Sequence, residues 1–397
     1  MTHAATSRFD AALSDYLLAN KWFRERCDHC GRTYFSKWHR SCQSPWCPGS
    51  RPADPGVRGA ARPPRPPSMQ WQRLRRALAG RGVPPSAMPD LTSAARDTDL
   101  VVSALQHLDP VVHDGAPAPV GPYVLAQPCV RWQYLPTAGR EDGVSSSFVN
   151  LSSLEVGGPD LVERLAHHLD IWLDGLSAIG IHARDVTIAL TDEDCAYGPY
   201  EGRRADVNCA GVEIGELNWY YRVADAADRS LAVIDCGFSL ERILSTATGV
   251  HGYHAALSPI YLAGVKGGGV VNDRARTLAL LSLFGVTPGS RGPRRYARRL
   301  ADELALSLLK GINLSGCLDH AAGYWRQFAT PTAAPAAALA TAAEAIEQRA
   351  IARLSGALGI AVPPQRMAFA KVADFLAVRA GGWEGVSRAV EALTAEA

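Results

Sequence analysis

One stretch of fourteen residues, 231–244 (LAVIDCGFSLERIL), places a predicted strand directly before a predicted helix. Its first four residues form a short apolar run with two β-branched members, which is typical of a buried strand. Leucine and isoleucine then recur at helical spacing, so a helix is expected to begin near Ser239. Gly237 allows a tight turn or a close approach to a ligand. The chain must therefore build a sheet that carries Asp235 at a strand end and Arg242 about two helical turns later.

An acid and an arginine in this arrangement suit a substrate that has an ammonium group at one end and phosphates at the other. A structural ion pair at the end of a strand would use the same two residue types. The stretch alone leaves both interpretations open.

Two regions resemble the alanyl-tRNA synthetase family. Residues 235–243 (DCGFSLERI) resemble its DTGxGLER signature, the third motif of class II synthetases, and residues 249–253 (GVHGY) resemble the continuation. Residues 123–149 are predicted as strand, loop and strand, with Arg131 at the end of the first strand, which is the layout of the second class II motif. Here QPCVR resembles the QPCIR of archaeal-type members, and Phe148 falls at a matching place.

The resemblance implies roles for single residues. Arg131 would hold the α-phosphate of ATP and the carbonyl under attack, and Phe148 would stack on adenine. Arg242, with Gly237 nearby, would border the nucleotide at the γ-phosphate, and Asp235 would bind the α-ammonium of alanine. Adenylate formation brings a carboxylate against a phosphate, and a planar guanidinium stabilises both anions. Pyrophosphate leaves on Mg²⁺, so ATP and Mg²⁺ are the implied cofactors.

The predicted strand at residues 212–220 adds Glu216 and Asn218 to the implied amino-acid site. The family often has Asn or Thr where this chain has Glu216. A glutamate would repel a substrate carboxylate at ~4 Å by about 4 kcal/mol, for an effective dielectric constant of about 20, unless it is protonated, turned away or paired. The loop after Arg131 also departs from the family pattern. Either the alignment is shifted or the substrate is handled differently.

Four cysteines near the N-terminus, Cys27, Cys30, Cys42 and Cys47, follow the spacing C-x2-C-x11-C-x4-C. This spacing predicts a structural zinc knuckle, because four thiolates close a tetrahedron and stabilise a segment too small for its own core. His39 could replace one cysteine, and a cluster of free thiols is the alternative. The block also resembles an N-terminal element of archaeal-type alanyl-tRNA synthetases, which implies no chemical role for it.

The chain has 397 residues, of which 47% are hydrophobic and 20% charged, and its net charge is +2. This is the composition of a soluble globular protein with room for two or three domains. The net charge is too small to indicate nucleic-acid binding by itself, so any such site must be local. No apolar run reaches the ~18 residues of a membrane span, and the N-terminus lacks a signal-peptide pattern. The expected location is the cytoplasm, with no membrane partner.

Residues 286–300 (VTPGSRGPRRYARRL) resemble an element of the helical tRNA-recognition domain of the family. They contain a local basic patch that could contact phosphates. A solvated helix face is the alternative. The four arginines of this patch are Arg294, Arg295, Arg298 and Arg299.

The expected fold is α+β, with a class II synthetase-like antiparallel sheet, flanking helices, a small N-terminal zinc-knuckle-like element and a C-terminal all-α domain. The expected limits are residues 1–48 for the N-terminal element, 49–68 for a Pro/Arg/Gly linker, 69–265 for the catalytic domain and 266–397 for the helical domain. Residues 99–105 (DLVVSAL) are predicted as a strand of the catalytic domain.

Together these features indicate an adenylate-forming ligase that activates an amino acid, alanine by the resemblance, with ATP. The acyl acceptor stays open. One hypothesis is transfer to a small-molecule amine or nucleoside, which the changed motif 2 loop and the lack of the family's editing domain in this sequence favour. A second is charging of tRNA-Ala without editing, and a third is an inactive paralogue that acts as a binding module. The amino acid and the oligomeric state are not fixed by the sequence.

Overall fold

A computed structural model describes residues 2–49, 67–87, 90–91, 98–140, 144–191, 194–224, 231–248, 267–328, 331–362 and 369–395, and the single residues 257, 262 and 265. Most of the predicted linker and all of the predicted continuation at 249–253 lie outside these residues. The chain divides into two compact units. The sheet unit contains residues Met1–Met88, Ser93–Cys129 and Phe148–Leu257, and the helical unit contains Pro89–Thr92, Val130–Ser147 and Ser258–Ala397.

The sheet unit is built on one large β-sheet. Its strands are β1 (Phe23–Arg26), β2 (Thr33–Ser36), β3 (Ser86–Ala87), β4 (Tyr123–Val130), β5 (Ser147–Gly157), β6 (Val186–Leu190), β7 (Cys195–Tyr197), β8 (Tyr200–Cys209), β9 (Val212–Val223) and β10 (Ala232–Ser239). Their order across the sheet is β1-β2-β6-β8-β9-β10-β5-β4-β3, with β7 paired to β8. Along this order, every neighbouring pair from β1–β2 to β10–β5 is antiparallel, and so is the pair of β7 with β8. The short strand β3 pairs with β4 in parallel.

Five α-helices of this unit have described bounds: α1 (Thr2–Ala19), α2 (Pro67–Gly80), α3 (Asp109–His113), α4 (Leu165–Ala178) and α5 (Leu240–Thr248). The last of them begins directly after β10, as the strand-then-helix pattern predicts. Helices α2 and α4 pack together so closely that a side chain on Gly175 would meet Leu74 at 3.0 Å. The apolar faces of these helices thereby find partners within the unit.

Alternation of side chains gives the sheet two different faces. One, here called the back face, carries Ser153, Cys236 and Phe238 and packs against α4. The indole ring of Trp172 stacks on Phe238 at 4.1 Å between ring centroids and donates its Nε1–H to Ser153 Oγ at 2.9 Å. His168, fully buried on α4, bonds the same hydroxyl at 2.9 Å. The opposite face, here called the front face, is polar and carries the candidate site.

The helical unit contains six described helices. They are α6 (Gly268–Leu283), α7 (Pro293–Leu309), α8 (Leu314–Trp325), α9 (Pro335–Leu358), α10 (Phe369–Arg379) and α11 (Trp383–Ala395). Helix α6 is buried along most of its length, and Arg276 on it places its guanidinium over the ring of Tyr324 at 4.3 Å and over that of Trp325 at 4.9 Å. Trp325 donates its indole N–H to the carbonyl of Arg276 at 2.8 Å, which fixes α8 against α6.

The predicted α+β fold is confirmed, with an antiparallel sheet, flanking helices, a cysteine cluster near the N-terminus and helices at the C-terminus. The predicted strand at residues 99–105 is wrong. Ser103 instead caps a 3₁₀ turn, Ala104–Leu108, in a reciprocal pair with Gln106, and these side-chain bonds to the backbone outweigh the apolar run. None of the described helices is long and apolar enough to cross a membrane. The domain limits and the cytoplasmic location stay predictions.

Candidate functional site

Asp235 lies in the middle of β10 on the front face, and only 5% of it is exposed. The predicted strand end at Asp235 is therefore wrong, because the strand continues through Gly237 to Ser239. In the register of the sheet it faces Asn218 of β9 on one side and Leu154 of β5 on the other. The hydroxyl of Ser152 donates a hydrogen bond to Asp235 Oδ1. The Oδ1 atom of Asn218 is buried and has no hydrogen-bond partner among the described residues. Strands β10 and β9 thus place the buried carboxylate of Asp235 beside the side-chain oxygen of Asn218, which accepts no hydrogen bond from the described residues.

Gly237, two residues further along β10, keeps this part of the face open. A Cβ atom at Gly237 would lie 3.3 Å from Asn150 Nδ2, 3.5 Å from Asp235 Oδ1 and 3.9 Å from Ser152 Oγ. The side-chain oxygen of Asn150 accepts from the backbone N–H of Ala104 at 2.8 Å, so its amide nitrogen is available as a donor toward the glycine. Three polar groups therefore converge where the sequence puts a residue without a side chain. Sequence analysis missed Asn150 and Ser152, since neither lies in a recognised motif.

In the other direction from Asp235 the front face is closed. Leu154, Val233 and Tyr220 are buried and belong to one apolar cluster. Burial and the negative charge of Asp235 raise the pKa of both Tyr123 and Tyr200 well above the ordinary value, so their hydroxyls stay protonated. The polar groups that could contact a ligand at Asp235 therefore lie on the side of Gly237, away from this cluster.

Glu216 carries the main departure from the family pattern, and the structure shows it paired. It faces Gly237 across the strands, one pair away from Asp235 and Asn218. Its Oε1 lies 3.4 Å from Arg204 Nη1, and Arg204 Nε lies 3.2 Å from Asp206 Oδ1. Since Arg204 neutralises it, Glu216 need not repel a substrate carboxylate in the way a lone glutamate would.

Asp206 connects Glu216 and Arg204 to the N-terminal element. It is 2% exposed, and its second oxygen lies 3.2 Å from Arg32 Nη1. Arg32 sits in the turn between β1 and β2, where its carbonyl accepts from the backbone N–H of Cys27 at 2.9 Å. The cysteine element therefore supplies a cation to the front face.

Arg242 is held at the start of α5 by Glu213. Its Nη1 donates to the backbone carbonyl of Glu213 at 2.9 Å and lies 3.5 Å from the carboxylate. The pairing of β8 with β9 shifts by one residue between Val207 and Asn208, which forms a β-bulge. A β-bulge changes the direction in which the following side chains point. Burial, and then the negative charge of Glu216, raise the pKa of Glu213 to about 7.

Phe148 is 9% exposed and packs with Val101 and Cys129. Directly after it, the backbone N–H of Val149 donates to both carboxylate oxygens of Glu241, at 2.9 and 3.0 Å. Glu241 is fully buried, so this interaction ties the start of β5 firmly to α5. The two motif regions are thus joined by a residue to which the sequence alone assigned no role.

Arg131 belongs to the helical unit, whereas Asp235, Gly237, Arg242, Glu216 and Asn218 belong to the sheet unit. Arg131 caps a short 3₁₀ turn, Trp132–Tyr134, and its backbone N–H donates to the carbonyl of Ser146 at 2.8 Å. The loop around it is anchored by α6.

Two adjacent residues of α6 make that anchor. Asp273 accepts from the backbone N–H of Ser146 at 2.8 Å and from the hydroxyl of Ser145 at 2.8 Å. Arg274 donates to the carbonyls of Leu135 and Ala138, at 2.6 and 3.1 Å. Asp273 and Arg274 also pair with each other at 2.8 Å. The sequence analysis assigned no role to either residue, because hydrogen bonds to backbone carbonyls and amides cannot be read from the spacing of residues along the chain.

The predicted basic patch lies on α7, and all four of its arginines are exposed. Arg299 places its guanidinium 5.5 Å from the ring of Trp132 and pairs with Glu303 at 3.1 Å. Arg295 lies over the ring of Tyr296, which in turn packs on Trp132 at 4.3 Å. Cations and aromatic rings therefore alternate on this surface, and Arg294 and Arg298 extend it along the helix.

The four cysteines come together as the spacing predicts. Their sulfur atoms all lie within 4.8 Å of one another, with Cys27 Sγ 3.7 Å from Cys47 Sγ and Cys30 Sγ 3.6 Å from Cys42 Sγ. Sulfur atoms of a tetrahedral zinc site are separated by about 3.8 Å when each Zn–S bond is about 2.3 Å. Burial opposes ionisation of Cys27, but backbone N–H donors outweigh it and lower the pKa of this thiol to about 6. The cluster could hold a metal ion.

The sequence matches no protein-family model and no curated protein. The fold is similar to two solved structures of pyrrolysyl-tRNA synthetase from Desulfitobacterium hafniense. One has a TM-score of 0.36 and 17% sequence identity, over 49% of this chain and 75% of that chain. The other has a TM-score of 0.36 and 18% identity, over 48% of this chain and 71% of that chain. These low values assign neither a substrate nor an acceptor to the chain.

Replacing Cys27 by serine should prevent metal binding by the cysteine cluster, because three thiolates and a hydroxyl do not satisfy a tetrahedral site. We expect Cys27→Ser to lose most of the metal measured by mass spectrometry of the purified protein and to unfold at a lower temperature. Cys195→Ser is the matched control and should keep the metal. A Cys27→Ser protein with a full equivalent of metal would exclude a four-cysteine site.

Replacing Glu213 by glutamine should stabilise the protein only at alkaline pH. The raised pKa of Glu213 means that the folded state favours the protonated form, so its contribution is complete below about pH 4.5 and lost as the pH rises through about 7. Glutamine mimics the protonated form. We expect Glu213→Gln to melt at a higher temperature than the unchanged protein at pH 8.5 and at nearly the same temperature at pH 5. Glu201→Gln, at an exposed ion pair on β8, is the control, and an equal gain for Glu213→Gln at both pH values would contradict the expectation.

Proposed function

We propose that the protein activates a small amino acid with ATP to form an aminoacyl-adenylate and then transfers the acyl group to a small-molecule amine or nucleoside. The observation that carries this proposal is the buried carboxylate of Asp235, beside Ser152 and Asn218, at the open position made by Gly237. Alanine is the expected amino acid by resemblance.

The ammonium of an amino acid fits this position because it can donate charge-assisted hydrogen bonds to a buried carboxylate. One ammonium proton would bond Asp235, and the unused Oδ1 of Asn218 could accept another. The closed apolar cluster behind Asp235 leaves little space for a long side chain. A small amino acid therefore fits better than a large one.

In the first step a carboxylate oxygen of the amino acid attacks the α-phosphorus of ATP, and pyrophosphate leaves. Arg131 and Arg242 are proposed to neutralise the phosphates, and Phe148 to contact adenine. Mg²⁺ would neutralise the leaving pyrophosphate, and Glu213 beside Arg242 is a hard oxygen ligand of the kind that this ion takes. In the second step the acceptor attacks the acyl carbon and AMP leaves.

The cysteine cluster is proposed to hold Zn²⁺ in a structural role. Four thiolates at these separations suit zinc, and a closed site leaves no position for a substrate. The ion would stabilise the turn that delivers Arg32 to the front face.

Charging of tRNA-Ala is the alternative that a specific observation favours. The exposed arginines of α7 alternate with Trp132 and Tyr296, and such surfaces bind phosphates and bases. An inactive paralogue that acts as a binding module is a second alternative. The presence of Arg131, Phe148, Asp235 and Arg242 in the sequence argues against it.

The test is exchange of labelled pyrophosphate into ATP with each of the twenty amino acids, followed by transfer assays with bulk tRNA and with small amines. Exchange with alanine, or with another small amino acid, supports activation. Label on tRNA would select the alternative acceptor, and exchange without label on tRNA would support a small acceptor. No exchange with any amino acid would refute the activity.

Replacing Arg242 by alanine should lower the exchange rate by at least about 100-fold, because a guanidinium that neutralises the phosphates of the transition state is lost. Arg222→Ala removes an exposed arginine from the adjacent strand and should leave exchange within about twofold. Both variants should melt at similar temperatures. Exchange retained by Arg242→Ala would show that this arginine is not part of the nucleotide site.

A further inference from the structure

A second cleft, of about 440 Å³, lies on the N-terminal cysteine element. Its lining comes from β1 and β2, from Asp28 in the turn between them and from the residues directly after β2. The volume falls in the range of small-molecule pockets. None of its lining residues takes part in the site around Asp235.

Two large aromatic side chains are displayed in this cleft. Phe23 is 62% exposed and Trp38 is 83% exposed, although both line the same cavity. A third, Trp46, is 75% exposed on the same element. Buried tyrosine and phenylalanine side chains in the element show that it has a core in which aromatic rings are placed, so the exposed ones are not a failure of folding. Flat aromatic faces open to solvent are the surfaces on which nucleobases stack.

The charge around the cleft favours an anionic ligand. Residues 21–47 contain six lysines and arginines but only two carboxylates, within a chain whose net charge is +2. Arg26, Lys37 and Arg40 line the cleft itself. Glu25 and Asp28 also line it and could accept hydrogen bonds from the amino group of a base or from ribose hydroxyls. Aromatic faces, cations and a few acceptors in one cavity match the parts of a nucleotide.

The cleft also lies next to the sheet face that carries the candidate site. The strand registers place one row of facing residues across the sheet: Glu25, Tyr34, Ala189, Asp206, Glu216, Gly237 and Ser152. Glu25 and Tyr34, at one end of this row, line the cleft. Glu25 on β1 and Gly237 on β10 are five strands apart. Since neighbouring strands are about 4.8 Å apart, the distance between these two residues is about 24 Å. A molecule of a few nucleotides spans that distance.

We propose that this cleft binds a nucleotide, with the base against Phe23 and Trp38 and the phosphate on Lys37 and Arg40. The nucleotide is either free or the single-stranded end of an RNA, since both present the same base and phosphate. Binding stands on the cleft alone. The further step, that this nucleotide belongs to the acyl acceptor, rests on the proposed function.

The experiment measures binding of two probes, uridine 5′-monophosphate by calorimetry and a fluorescein-labelled octauridylate by anisotropy. A uridine probe is used because an adenine site is proposed elsewhere in the chain. Trp38→Ala should weaken binding about tenfold or more, which is the effect of losing one stacking ring. Trp383→Ala, at a ring that is 56% exposed on α11, is the matched control and should bind like the unchanged protein. Arg40→Gln should weaken binding and reduce its dependence on salt.

Binding of the mononucleotide with this variant pattern supports a free nucleotide, and binding of the octauridylate alone supports an RNA end. Absence of binding of both probes at millimolar concentration would overturn the inference, as would equal binding by the Trp38→Ala and Trp383→Ala variants. Pyrophosphate exchange on the same preparations separates the two proposals. Exchange without nucleotide binding refutes the cleft alone, and nucleotide binding without exchange refutes the proposed activity alone.

Discussion

The alternation of side chains across one antiparallel sheet is the constraint on which the rest of the sheet unit depends. On β10, Cys236 and Phe238 point to the back face, where Phe238 stacks on Trp172 of α4. Asp235 and Gly237, their direct neighbours, must then point to the front. The apolar packing of one face thus fixes the direction in which the polar groups of the other face point.

The polar face is stable because its charges are balanced across strands. Glu216 and Asp206 share Arg204, and Arg32 from the cysteine element reaches Asp206. A buried charge is costly unless it has a partner of opposite charge. Removing one of these groups would therefore leave another charge buried and unpaired, which is strongly destabilising. The balance is incomplete at Glu213, whose pKa is raised by burial and by Glu216. A cation beside Glu213 would favour its ionised form.

The helical unit has its own polar anchor in Asp273 and Arg274. These two residues hold the loop that contains Arg131 through backbone carbonyls and amides, so the loop conformation depends on residues that lie 127 to 139 positions later in the chain. Of the two arginines proposed to bind nucleotide, Arg242 is held directly by Glu213. Arg131 is held through its backbone bond to Ser146, which Asp273 anchors in turn. Catalytic arginines need such support, because a flexible guanidinium gains little from its charge alone.

The α+β fold was implied by the family resemblance, whereas residue pattern determined the strand-to-helix step at Ser239, the capacity of four cysteines to meet, and the candidate residues Asp235 and Arg242. These depend on periodicity and on ligand chemistry, which are local. Tertiary structure decided that Glu216 is paired with Arg204, that Asn150 and Ser152 converge on Gly237, and that residues 99–105 form no strand. The aromatic cleft at Trp38 also appeared only in the fold. Each of these depends on strand register or on a side-chain bond to distant backbone, and neither can be read from the spacing of residues along the chain.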